Sequence, residues 1–488
     1  MTSTGRPAAP GPEPEGRGVT DSRTSRVIEQ YSIEPIPEHE RKGRGSSLFT
    51  IWFAIQVGPV VLVTGALGPL LFGQSFLWTL VAALIGNLVG AILVALHAAQ
   101  GPWLGVPQMI QSRGQFGAGG SVLLILIVIL IYFGFFASTL VTGGQAVHQV
   151  VTGVPTEVWI VVGGVLAALV AMVGYDLIHR VGRLLTIVAG LIYVVLVVVL
   201  LASGDTSVLW HAGPFQRGGF LAMLSTSAVW QISLAPYVSD YSRYMPRTSG
   251  GQRSTFWWTY AGLGGGAVVP MAIGAAVAAI TGDDVLATLD KVVPAGLAGT
   301  VLVVFGVLTL HINSMNLYGS VLTGSTLVQT FKHDWLPSRT VRVAIIVGAA
   351  IIGVAVSILW ADSFLASYSQ FLVLLGYLLV PWSVINLLDY YVVRHGDYDV
   401  SSFFAPAGGI YGWFSWPAII AYVVGVAVEI PFLTTSWYTG PLYDRLGFDA
   451  SWVVSAVVTI PLYLFLARGQ RTAPAALRSD AVSTGNGL

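Results

Sequence analysis

The stretch WQISLAPYVSDYSRYMP, residues 230–246, is an apolar run with a proline at its centre that ends in a charged, tyrosine-rich cuff. Pro236 has no amide proton, and its ring clashes with the preceding turn. In hydrocarbon such a break frees backbone groups that lipid cannot satisfy, so it persists only against protein or a water-filled cavity. A kinked helix that merely packs is the plainer reading of any single proline. A matching interruption elsewhere favours a site. In the first long apolar segment, 48–72, the run Gln56-Val57-Gly58-Pro59 sets an amide beside a Gly-Pro pair at mid-membrane depth. Interrupted segments at corresponding positions in two halves of a chain point to the midplane site of a secondary transporter. The first and sixth segments are those positions, with Gly58, Pro59 and Pro236 as the breaks.

Composition sets the class. Of 488 residues, 55% are hydrophobic and 9% charged, with mean hydropathy +0.75, whereas soluble domains are about a quarter charged. This is an all-α polytopic membrane protein with the lipid bilayer as its solvent. About twelve apolar spans, from 48–72 to 449–467, each approach the roughly 20 residues needed to cross. Fifteen Lys and Arg near span ends fall on one side and three on the other. That bias places both termini in the cytoplasm.

Residues 1–45 and 469–488 are polar, Pro- and Gly-rich, and read as disordered cytoplasmic tails without a signal-peptide apolar core. Between them, 46–203 and 204–396 make two five-helix halves, the second inverted because five is odd, and 397–468 adds two further helices. The chain has no cysteine, which removes disulfides, thiol catalysis and Cys-based zinc sites. Zero formal net charge gives no argument for a nucleic-acid partner. Nothing in the residues asks for a metal or an organic cofactor, and the oligomeric state is unknown. An intramembrane enzyme would need convergent catalytic groups, which the spans do not supply. A passive channel would give flux without uphill accumulation, and broken helices favour a carrier over it.

With the segments placed, the chain resembles the purine/cytosine permease family, also called the first nucleobase-cation symporter family. The resemblance is carried by IEPIPEHERKGRGSSLFTIWFAIQ (33–56), GALGPLLFG (65–73), LAPYVSDYSRYMP (234–246), INSMNLYGSVL (312–322) and NLLDYYVVRHGDYDV (386–400). It implies a LeuT-type five-plus-five inverted repeat. It also implies a substrate held among the first, third, sixth and eighth helices, stacked on aromatic rings and read by amides. A flat polar heterocycle offers two π faces and an edge of donors and acceptors, which aromatic and amide side chains match.

Carried over by position, the third-helix Gly-Trp, amide and Gly-x-Gln pattern falls on Gly134-Phe135, Thr139 and Gly143-Gly144-Gln145. The sixth-helix Trp falls on Leu234, with Trp230 one turn earlier on a similar face. In the eighth helix Asn313 and Asn316 share a side, and Gln56 takes the place of the first-helix amide. The expected substrate set is therefore Gln56, Phe135, Thr139, Trp230, Leu234, Asn313 and Asn316. A buried amide that only glues two helices is the plainer alternative for each.

Sodium sites in this family use carbonyls at the first-helix break and paired eighth-helix hydroxyls. Here that turn reads Leu308-Thr309-Leu310-His311-Ile312, leaving Thr309 alone. Proton coupling is favoured, with His311 and Glu429 as titratable candidates inside spans, and sodium is kept as the alternative. Glu429 lies outside the repeat and equally suits a structural role, and His311 equally suits a neutral helix-to-helix hydrogen bond. Asp240 with Arg243, and Asp389 with Arg394, suit gate or structural roles. The expected function is cation-coupled symport of a nucleobase (cytosine or a purine) across the plasma membrane. The alternative is a permease for allantoin, hydantoin or a vitamin-like ring.

Overall fold

The computed structural model describes residues 33–472 apart from 174, 203–205, 333–334 and 336. The outer parts of both expected tails lie outside the described residues. Residues 33–44, polar enough in composition to belong to the tail, instead pack on the end of the molecule that carries the basic loops. Ile33 and Ile36 are buried. Ile36 N donates to Gly105 O, Arg41 Nη1 to Pro102 O and Gly43 N to Tyr244 O, each at 2.9 Å.

The fold is all-helical. α1 (Gly45–Gln56) and α2 (Pro59–Leu70) are one span bent by 58°. Gly58 is extended and Pro59 opens α2 as its first residue, where a missing N–H costs nothing. α3 (Phe76–Ala98), the short α4 (Gln108–Phe116), α5 (Ser121–Val150), α6 (Thr156–Val173) and α7 (Tyr175–Ala202) complete the first half of the chain. α8 (Arg217–Ile232) stops short of Pro236. A single 3-10 turn, Ala235–Tyr237, follows, and α9 (Val238–Ser242) resumes. Both breaks anticipated from proline are present. α10 (Ser249–Thr281), α11 (Ala295–Phe331), α12 (Arg339–Ala361), α13 (Phe364–Leu388), α14 (Trp416–Ala427) and α15 (Ser451–Leu466) follow.

Among the described residues nine helices are long and apolar enough to cross a bilayer, and the bent pair makes ten. Two further apolar helices, Thr156–Met172 and Trp416–Ala427, are shorter. The count of twelve spans is reached only with both of them.

The broken helices pack against α3, α5, α10 and α13. Small residues allow it. A Cβ on Gly65 would lie 1.9 Å from Met271 O, and one on Gly274 would lie 1.8 Å from Leu62 O. α2 and α10 thus meet backbone to backbone, as membrane helices do where side chains are absent.

Candidate functional site

A cavity of about 380 Å³ opens between the two breaks, lined by α1, α2, α5, α8, α9 and α11 with Thr186 of α7. Phe135, Thr139, Trp230, Leu234 and Asn316 line it together, as do Gly58, Pro59 and Pro236 from the breaks. Phe135 and Trp230 meet edge to face, with centroids 5.4 Å apart and planes at 82°. Such a pair contributes roughly 0.5–1.5 kcal/mol beyond burial. The two rings stand perpendicular and offer no parallel pair of π faces.

The cavity runs toward the end with the basic loops, where Ser47, Asp240, Arg243, Tyr244 and Met245 line it. Asp240 Oδ1 accepts from Gln108 N at 3.0 Å, so it also satisfies an otherwise orphan N–H at the start of α4. At the opposite end the helices close. The hydroxyls of Tyr368 and Thr64 lie 2.8 Å apart, and Phe371 of α13 stands edge-on to Phe135 at 5.3 Å.

Gln56 takes a different place from the one its motif suggests. It is fully buried and absent from the cavity wall. Its Oε1 accepts from Trp230 Nε1 at 2.6 Å, and its Nε2 donates to Gln231 Oε1 at 3.1 Å. Gln231 Nε2 donates in turn to Asn87 Oδ1 at 2.7 Å and Leu263 O at 3.2 Å. Asn87 Nδ2 donates to Ala83 O at 2.9 Å. A chain of amides therefore ties the end of α1 to α8, α3 and α10, and its outermost member holds the indole of Trp230. Both polar atoms of the Gln56 side chain have protein partners, and in this conformation it reaches the cavity only through Trp230.

Asn313 is likewise buried and off the cavity wall, and its Oδ1 accepts from Asn316 Nδ2 at 3.2 Å. Asn316 is the member of the pair that faces the cavity. Thr309 is buried, lies off the cavity wall, and its hydroxyl donates to Phe305 O at 2.7 Å. The α11 residue set against the first break is Ile312, whose Cδ1 would be 2.8 Å from a Cβ on Gly58. His311 lines the cavity, and Glu429 lies apart from it, beyond the end of α14.

Sequence reasoning missed Gln231 and Asn87, along with the tyrosines of the wall. Tyr132 and Tyr237 both line the cavity and stack at 5.5 Å with planes 25° apart. Gln231 had a signal, an amide directly after Trp230 in an apolar run. Asn87, inside the Gly86-x-x-x-Gly90 stripe, offered only its lone polarity.

A sequence profile described as "Permease for cytosine/purines, uracil, thiamine, allantoin" matches residues 35–455. The chain belongs to that permease family. It is 35% identical to the Bacillus subtilis (strain 168) protein YxlA over 90% of this chain and 96% of that one. It is 26% identical to the purine-cytosine permease fcyB of Emericella nidulans, over 88% and 87% of the two chains. Its fold is that of Mhp1. In the inward-facing conformation the TM-score is 0.73 at 20% identity, covering 91% of this chain and 94% of that one. In a closed conformation with bromovinylhydantoin bound it is 0.72 at 19% identity, covering 93% and 99%. This permease is thus a membrane transporter of the nucleobase-cation symporter family, with the LeuT-type fold its motifs implied, and not an enzyme.

Proposed function

We propose that this permease imports a nucleobase, cytosine or a purine, across the plasma membrane by proton-coupled symport. The observation that carries the reading is the cavity itself. Two broken helices, an aromatic pair and one facing amide, Asn316, converge on a space near the small end of ligand pockets, which run from about 300 to 1,000 Å³. Trp230 supplies a π face, and Asn316 supplies a donor and an acceptor for a heterocycle's edge. The cavity's reach toward the basic loops fits a state open to the cytoplasm, with both termini on that side.

The coupling reading rests on the first break. Hard cations take several oxygen ligands. Here Ile312 occupies the α11 position against Gly58, and Thr309 lies off the cavity wall without a second hydroxyl on its turn. A proton needs no such cage, and His311 on the cavity wall can carry one.

A second reading is a permease for allantoin, hydantoin or a vitamin-like ring. The perpendicular Phe135–Trp230 pair favours it, since a smaller or non-aromatic ring needs only one stacking face. Competition against labelled cytosine bound to the purified protein separates the two. Displacement by hypoxanthine but not by allantoin or hydantoins supports the nucleobase. Displacement by the latter alone, or no cytosine binding, sends the assignment to the second reading.

A further inference from the structure

Glu429 lies in the turn that follows α14, fully buried, and neither of its carboxylate oxygens has a hydrogen-bond partner among the described residues. Native structures seldom leave a buried polar side chain so placed, and burying a charged carboxylate without donors is costly. The helix C-terminus beside it adds partial negative charge. The groups facing it add no cation. They are Asp449 from the loop before α15, Tyr377 of α13, Tyr422 of α14 and Ser455 of α15. The Ser455 hydroxyl beside it is spent on Gly425 O at 3.0 Å. Burial and the neighbouring Asp449 suit the neutral carboxylic acid, against which only the Ser455 hydroxyl stands.

The same spot is a mechanical junction. A Cβ on Gly425 of α14 would lie 2.9 Å from Pro381 Cβ of α13 and 2.4 Å from Thr459 Oγ1 of α15, so three helices meet there. The Tyr377 hydroxyl of α13 donates to the Asp449 carboxylate and accepts from Thr434 N at 3.1 Å. Further along the same helix, α13 carries Tyr368 and Phe371, which close the cavity against Thr64 and Phe135.

We propose that Glu429 is a proton-binding site of the transport cycle, outside the substrate cavity, whose occupancy holds α13 closed over that cavity. With the proton bound, the neutral acid stays dry and the junction of α13, α14 and α15 stays tight. When the proton passes to water, the carboxylate must be hydrated, the junction loosens and α13 is released. This inference rests on the proton-coupled reading above.

Two measurements test it. In membranes holding the intact protein, dicyclohexylcarbodiimide adds to protonated, dehydrated carboxyls, and the adduct is located by mass spectrometry. Modification at Glu429 that falls as pH rises and that inhibits transport is expected. No adduct at Glu429 at any pH overturns the proposal, whether or not any variant folds. In proteoliposomes, Glu429→Gln should retain substrate exchange while accumulating about tenfold less under a gradient worth about 1.4 kcal/mol. If wild-type accumulation ignores the proton gradient, the symport reading itself fails. If wild-type follows the gradient and Glu429→Gln accumulates equally with the same pH profile, the Glu429 assignment alone fails.

Discussion

Gln56→Met distinguishes an amide that touches substrate from one that holds the residue that does. Methionine nearly matches glutamine in length but cannot accept from Trp230 Nε1 (2.6 Å) or donate to Gln231 Oε1 (3.1 Å). Two buried polar atoms lose their partners, at about 1–3 kcal/mol each. The loss is about 2–6 kcal/mol in all, enough to lower the unfolding temperature of the purified protein by several degrees. The indole, no longer pinned, loses its fixed orientation against Phe135. The Michaelis constant should therefore rise by a similar factor for every ring the wild type carries. Asn316→Ala should behave differently. It removes the amide that faces the cavity and, on the proposed reading, meets the ligand edge, so it should change the ranking among rings that differ in edge donors and acceptors. The assay is uptake kinetics for cytosine, hypoxanthine and edge-altered analogues in both variants, paired with thermal unfolding in detergent. If Gln56→Met re-ranks the analogues as Asn316→Ala does and leaves the unfolding temperature unchanged, Gln56 reads substrate directly and the relay argument is wrong.

Three further outcomes are expected. Phe135→Ala removes ring contacts to Trp230 and Phe371, each worth about 0.5–1.5 kcal/mol beyond burial, and should abolish uptake while the protein stays inserted; unchanged kinetics would take Phe135 out of the site. Thr64→Val deletes the hydroxyl contact with Tyr368, about 0.5–1.5 kcal/mol, and should shift the population toward a cavity open on that side by up to about tenfold. Because the natural chain lacks cysteine, labelling of a single cysteine placed at Thr139 by an external maleimide reads that shift directly. Gly65→Ala pushes a methyl into Met271 O and should lower the unfolding temperature sharply, whereas Gly265→Ala, with nothing within 4 Å of its Cβ, should not; equal effects in thermal unfolding would refute the backbone-to-backbone packing of α2 and α10.

The helix breaks were legible because proline and glycine act through their own backbone chemistry. Gly58-Pro59 and Pro236 take away backbone donors where their helices break, although Pro270 and Pro381 lie inside continuous helices. Phe135 and Asn316 were picked out by motif position and Trp230 by lying one turn before the motif's Leu234, and all of them line the cavity. Gln56 was misplaced for a physical reason. A buried amide that reads a ligand and one that reads another amide look alike in sequence, and the deciding partners, Gln231 and Asn87, arrive from distant helices. Asn313 and Asn316 show the same limit, since a three-residue spacing sets a common side without saying which member faces the opening. The packing of 33–44 was hidden by polar composition, because its anchors are backbone hydrogen bonds and one arginine guanidinium.

The most direct test of the account is uptake of labelled cytosine and hypoxanthine by permease-deficient bacteria producing this chain, with and without a protonophore and with sodium omitted. The account predicts accumulation that a protonophore abolishes and that sodium omission leaves intact. Accumulation that requires sodium and survives the protonophore, or no uptake of either base in cells shown to contain inserted protein, would contradict it.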